Sequence, residues 1–299
     1  MGVSVFGHRG ASGYRPENTL EAFELAFQQG ADAIECDLVP TLDGHLVIRH
    51  ENRLSHTTNV AALPEFASKR IQEFQIWQDI DDWCTEKLTL AELKQLRAIE
   101  RIPDVRPGSA KFDGRFEIPT IDELLLAPFA AGKTLILELK EPNFFFERGI
   151  DTPAMLVERL AAIDWQSRGI SIVMESFDRW SLLRCKELAR AAGIDAKFVL
   201  LTERWWLPKT GAAELTAFID QVAKDFDGLS VELAAIAELW PNFVAQAHER
   251  GLLAYVWTAR AEDSETSIDE YYAHIIELGA NGIFADQPDL LRACVDALA

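Results

Sequence analysis

The sequence predicts an α/β chain, a (β/α)8 TIM barrel with a small subdomain inserted after a hairpin that follows the second strand. Three observations lead there. Short apolar runs alternate with longer amphipathic stretches almost to the end of the 299 residues. Eight of these runs read as parallel strands, the number of a barrel whose usual size is ~250 residues. One stretch, 51–118, breaks the rhythm and reads as an insertion into a single barrel domain, 1–299.

The first strand is expected at 3–7 and the first helix at 18–29, with Asn18 as its N-cap, Glu21 at the capping-box position and Gly30 as its stop. The second strand is expected at 33–38. A further strand at 46–50 follows after only a short turn around Asp43-Gly44. Too few residues intervene for a parallel crossover, so it must return as an antiparallel hairpin. The competing arrangement is a ninth strand in an open doubly wound sheet. Within 51–118 lie Trp77, Trp83, Pro103, Pro107, Gly108 and Gly114, and 88–96 reads as a helix. Strands are then expected at 134–139, 170–174, 197–201, 228–231, 253–257 and 282–285. Between them, helices are expected at 154–163, 178–192, 212–226, 242–250 and 269–278, with a last one from about 289.

Composition narrows the function. A formal charge of −19 argues against nucleic acid and anionic membrane surfaces as partners. It leaves room for a small phosphate ester, provided that local cations overcome the repulsive background. No apolar run is long enough for stable membrane insertion, and the chain opens directly into a core strand without a signal segment. Cys36, Cys84, Cys185 and Cys294 show no zinc spacing and fit a reducing compartment, so the expected location is cytoplasmic.

The chemistry gathers at predicted strand ends. Glu35 and Asp37 are one residue apart on a strand and so point the same way. Two carboxylates on one face are costly unless a cation neutralises them. Hard oxygen donors suit one divalent cation, Mg²⁺ or Ca²⁺, and Glu138 arrives from the next barrel strand as a third. Ion pairs of Glu35 and Asp37 with Arg9 or Lys140 are the plainer alternative. His8 ends the first strand and His50 the hairpin. Cleaving a P–O bond needs one group to deprotonate a nucleophile and another to protonate the leaving alkoxide, and histidine does both near neutral pH. Arg9 can grip phosphate in bidentate fashion, and Lys140 can hold it as a point charge.

The chain resembles the glycerophosphodiester phosphodiesterase family. The likeness rests on His8-Arg9-Gly10, Pro16-Glu17-Asn18-Thr19, Glu35-Cys36-Asp37, His50, Thr57-Thr58, Glu138-Leu139-Lys140, Ser176-Phe177, Val256-Trp257-Thr258 and Phe284-Ala285-Asp286-Gln287-Pro288, in order along nearly the whole chain. It implies hydrolysis of a small glycerophosphodiester to glycerol phosphate and an alcohol. His8 and His50 are then the acid/base pair, Glu35, Asp37 and Glu138 the metal ligands, and Arg9 and Lys140 the phosphate binders. Three positions depart from the family pattern: Glu51 replaces aspartate, His56 an arginine and Arg260 an asparagine. Phe177 and Trp257, with Phe144-Phe145-Phe146, Trp180 and Trp205-Trp206 nearby, are expected to shape the substrate pocket. The aromatics also motivate an alternative, lysophospholipase D-type cleavage of lysophospholipids on the same barrel. The Phe triplet has the competing reading of packing beneath the insertion.

Overall fold

The computed structural model describes residues 2–76, 78–205, 207 and 212–298. Trp77 and Trp206 lie outside the described residues. The strands in chain order are β1 (Ser4–Gly7), β2 (Ala33–Pro40), β3 (Leu46–Ile48), β4 (Ile71–Gln75), β5 (Gln78–Asp82), β6 (Thr134–Leu139), β7 (Ser171–Ser176), β8 (Lys197–Thr202), β9 (Gly228–Glu232), β10 (Leu253–Ala259) and β11 (Gly282–Ala285). The sheet runs β1-β11-β10-β9-β8-β7-β6-β2-β3, and β1 also pairs with β2, which closes eight parallel strands into a barrel. β3 stands outside that ring, antiparallel to β2, with Val39 opposite Val47. The hairpin is therefore present and the open sheet is excluded.

Period-two alternation sorts the barrel strands into an outer and an inner set. Outward residues such as Val5, Ile34, Cys36, Leu135, Leu137 and Val256 join the large core under the helices. Inward residues Phe6, Ala33, Ile136, Val173, Val199, Tyr255 and Phe284 form a separate plug across the barrel. Two residues further along each strand, the inward positions become His8, Glu35, Glu138, Glu175, Leu201, Trp257 and Asp286. The plug is thus the floor of whatever the C-terminal rim binds.

The first helix, α1 (Leu20–Gln28), corrects the expected cap. Thr19, not Asn18, accepts from Ala22 N, and Asn18 adopts φ 59°. The hydroxyl next door satisfies the helix end, which frees Asn18 for the site. Gly10, at φ 82°, would bring a Cβ to 2.6 Å from the Ala22 carbonyl carbon, so no other residue lets the His8–Arg9 turn lie on α1.

Residues 51–118 form short turns of 3-10 helix, the ribbon β4–β5, α2 (Leu90–Leu93) and α3 (Pro107–Ala110). The expected helix at 88–96 shrinks to α2, fixed by a Thr89–Glu92 capping box. The ribbon escapes sequence reading because its strands, IQEFQ and QDIDD, are mostly polar. This insertion has its own core, in which Leu54, Val60, Phe66, Trp83 and Leu93 pack with Val39 and Val47 of the hairpin. Phe144 and Phe145 of α5 (Pro142–Phe146) complete it, after α4 (Ile121–Leu126).

The remaining helices alternate with the strands: α6 (Thr152–Ala162), α7 (Arg179–Ala191), α8 (Ala212–Asp225), α9 (Leu233–Glu238), α10 (Phe243–Glu249), α11 (Ile268–Glu277) and α12 (Pro288–Leu298). Among the described residues no helix is long and apolar enough to cross a membrane.

Candidate active site

A cavity of about 740 Å³ opens at the C-terminal ends of the barrel strands. His8, Arg9, Glu35, His50, Glu138 and Lys140 line it, with Phe177 and Trp257. Asp37 lies beneath them, fully buried.

Glu35, Asp37 and Glu138 each bring an oxygen within 4.8 Å of the others. Their strands dictate this, since β2 and β6 pair with Asp37 opposite Glu138. Glu35 accepts from the Arg9 backbone N–H at 2.9 Å, while its buried Oε1 has no hydrogen-bond partner. Asp37 Oδ2 accepts from Asn18 Nδ2 at 2.7 Å and lies 3.4 Å from Arg9 Nε. Lys140 Nζ sits 2.8 Å from Glu138 and 3.5 Å from Asp37. The plainer expectation of ion pairs with Arg9 or Lys140 therefore holds for Asp37 and not for Glu35, while Glu138 pairs with Lys140; two cations do not satisfy three buried acids. Burial and the charges of Asp37 and Glu138 push Glu35 well above the usual carboxylate range. Burial lifts Glu138 to about 7 against the pull of Lys140. Burial acts on Asp37 as well, but His50, Lys140 and Arg9 outweigh it and hold it low. An orphaned carboxylate oxygen in an all-oxygen cluster fits a hard divalent cation, and the triad could hold one.

Each histidine is backed by a carboxylate. His8 Nδ1 lies 2.6 Å from Asp286 Oδ1. Arg106 Nη2 at 2.6 Å and Arg260 Nε at 3.0 Å both donate to Asp286 Oδ2. His50 Nδ1 lies 3.0 Å from Glu51 Oε2, and its Nε2 lies 3.1 Å from Lys140 Nζ. Arg101 holds Glu51 and also donates to Glu17 at 2.9 and 2.7 Å, and Glu17 in turn accepts from Arg9 at 3.1 Å. Burial and neighbouring cations lower both histidines, His50 to about 4. Both shifts favour the neutral ring, and a proton on Nδ1, facing the carboxylate, would leave Nε2 as the basic nitrogen.

Phe177 and Trp257 meet edge to face at 5.6 Å between centroids. Lys140 Nζ stands 5.6 Å from the Phe177 ring. The Phe triplet divides: Phe145 is buried in the insertion core, Phe144 joins that core and also faces the cavity, and Phe146 is exposed. Trp180 and Trp205 stand exposed, outside the cavity lining.

Sequence reasoning missed the roles of Asp286, Glu17, Arg101, Arg106 and Glu175. Asp286 had a signal, an acid two residues past the inward Phe284. Glu175 had one too, an acid within the apolar run Ile172-Val173-Met174. The arginines lie in a region without periodicity and had none. Two of the three departures are absorbed locally, since Glu51 pairs with His50 and Arg260 with Asp286.

An α/β barrel thus gathers two histidines, two cations and three carboxylates at its C-terminal rim. The glycerophosphoryl diester phosphodiesterase family matches residues 8–290, and the chain belongs to it. It is 29% identical to a glycerophosphodiester phosphodiesterase of Arabidopsis thaliana, over 93% of this chain and 82% of that one. It is 26% identical to the enzyme of that name from Haemophilus influenzae, over 95% and 87% of the two chains. A phosphodiesterase from Oleispira antarctica, solved with its product sn-glycerol-3-phosphate, superposes at a TM-score of 0.70 with 24% identity, over 99% of this chain and 97% of that one.

Proposed function

We propose that this barrel hydrolyses glycerophosphodiesters to glycerol phosphate and an alcohol with His8 and His50 as the acid/base pair. The observation that carries this is the matched pair of carboxylate-backed histidines lining one cavity with the acidic triad. Glu35, Asp37 and Glu138 hold one divalent cation, Mg²⁺ or Ca²⁺. When bound, it neutralises the triad and withdraws charge from the phosphate.

Arg9 and Lys140 bind the phosphate oxygens, and Phe177 with Trp257 forms the apolar wall against the substrate's carbon atoms. One histidine takes a proton through Nε2 from the nucleophile, water or a substrate hydroxyl, as the new P–O bond forms. The other, protonated, gives its proton to the departing alkoxide as the old P–O bond breaks. Asp286 and Glu51 keep each ring in the tautomer that presents Nε2 and stabilise the imidazolium in turn. The buried free thiols of Cys36, Cys84, Cys185 and Cys294 support a reducing, cytoplasmic setting.

The test is release of glycerol phosphate from glycerophosphocholine and glycerophosphoethanolamine after EDTA, with Mg²⁺ or Ca²⁺ restored. Turnover should vanish with EDTA and return with one metal, and His8→Ala or His50→Ala should each lose roughly 100-fold or more. Wild-type turnover indifferent to EDTA, or variants within a few-fold of it, would contradict the reading.

One observation favours a second reading. Phe74 and Ile76 of the insertion and Pro142 and Phe144 of α5 add an apolar wall to the outer cavity, suited to a lysophospholipid chain. Lysophosphatidylcholine turned over faster than glycerophosphocholine would select it.

A further inference from the structure

Glu175 is a buried acid of the cavity wall to which the reading above gives no role. It is 1% exposed, it lines the cavity, and its buried Oε1 has no hydrogen-bond partner. β7 sets it directly opposite Glu138 on β6, which itself stands opposite Asp37 on β2. It nevertheless stands outside the group of three acids whose oxygens gather within 4.8 Å. No arginine or lysine of the described residues pairs with it. A buried polar group without a partner costs free energy, and one that opens onto a binding cavity is positioned to be satisfied by the ligand.

The chemistry of the substrate limits what can fill this role. The unpartnered Oε1 of Glu175 calls for a donor, whereas the phosphate oxygens are acceptors that Arg9 and Lys140 already attend to. What remains is a donor. Phe177, two residues on along the chain, takes carbon atoms, so the donor is carried on a carbon skeleton beside the phosphate.

We propose that Glu175 accepts a hydrogen bond from a free hydroxyl of the glycerol unit and thereby selects polyol phosphates over simple alkyl phosphates. This rests on the glycerophosphodiester reading above. A carboxyl group offers an acceptor oxygen whether or not it is protonated, so the contact does not depend on its titration. A site built around a hydroxyl discriminates strongly against an analogue that lacks it, because the site's own polar group is then left unpaired.

The experiment measures inhibition of glycerophosphocholine turnover by sn-glycerol 3-phosphate and by ethyl phosphate, which has no hydroxyl. Wild type should bind glycerol phosphate about 10-fold or more tighter than ethyl phosphate. Glu175→Leu should abolish the preference by weakening glycerol phosphate alone. Glu175→Gln, whose amide oxygen still accepts, should keep most of it. Equal affinity for both phosphates in wild type overturns the inference without any variant. So does an undiminished preference in Glu175→Leu, or a parallel loss of both ligands. In each case continuing glycerophosphocholine turnover by wild type shows that the broader reading survives; its absence shows that the broader reading itself has failed.

Discussion

Arg101 grips Glu51 through two nitrogens, Nη1 to Oε1 and Nη2 to Oε2, each at 2.6 Å. Arg106, from the same inserted segment, reaches Asp286 through one nitrogen, Nη2 to Oδ2 at 2.6 Å, while its Nε donates to Glu262. Both histidines are thus oriented by a carboxylate that an arginine of the insertion holds still. On the proposed function, the insertion helps to position the acid/base pair as well as walling the cavity.

Arg101→Ala should therefore lower kcat by roughly 10- to 100-fold while moving KM much less, because misplacing a reacting group by about 1 Å costs on that order. Arg101→Lys should recover little, since an ammonium cannot repeat the bidentate fork. Steady-state kinetics on glycerophosphocholine decide it, and an unchanged kcat in Arg101→Ala would remove the positioning role.

Metal binding should be linked to protons. Glu138, lifted to about 7, and Glu35, pushed well above the usual carboxylate range, hold protons in the metal-free fold that an unfolded chain releases near the ordinary carboxylate value. Between about pH 4.5 and 7 the folded state then binds more protons than the unfolded one, so its stability falls as pH rises through that window. A divalent cation displaces these protons and removes the penalty. Mg²⁺ or Ca²⁺ should raise the melting temperature more at pH 8 than at pH 5. Calorimetry at pH 6 in buffers of different ionisation enthalpy should register proton release. A metal-induced shift that ignores pH would count against the triad as the site.

Asn18 supports Asp37, one of the three acids proposed to hold the cation. Its amide orients Asp37 from a left-handed backbone position. Asn18→Ala should weaken metal affinity by roughly 10- to 100-fold, as loss of a ligand's hydrogen-bonding partner does elsewhere. Titration with Mg²⁺ or Ca²⁺, followed by thermal shift, measures it; wild-type affinity in the variant would dismiss the support.

Phe145 ties the insertion core to the barrel and is completely buried. Phe145→Ala should destabilise the fold by about 3–5 kcal/mol, the usual cost of emptying such a site. Urea unfolding gives the number, and a loss under about 1 kcal/mol would show that the two cores are energetically separate.

The barrel and the acidic triad were legible in the sequence for one reason. Strand periodicity puts Glu35, Asp37 and Glu138 on a single face, where carboxylates have no structural excuse. The histidines were legible because strand ends meet at the rim. Asn18 was misread because the capping rule accepts asparagine and threonine alike, and the choice of Thr19 depends on the tertiary pull of Asp37. Arg101 and Arg106 were invisible because their segment folds through turns and long-range ion pairs, which leave no period. The ribbon β4–β5 was missed because polar strands at an exposed edge carry no alternation to detect.

His8 and Asp286 meet across 278 positions of chain, through the pairing of β1 with β11. A contact of such long range forms only when the ring of strands joins, and it pays its loop-closure entropy before it gains anything. A growing or half-folded chain can assemble the carboxylate triad from β2 and β6 yet still lack an oriented His8. On the proposed function, cation binding is then expected to precede activity during refolding, with the first turnover event a clock for closure of the barrel.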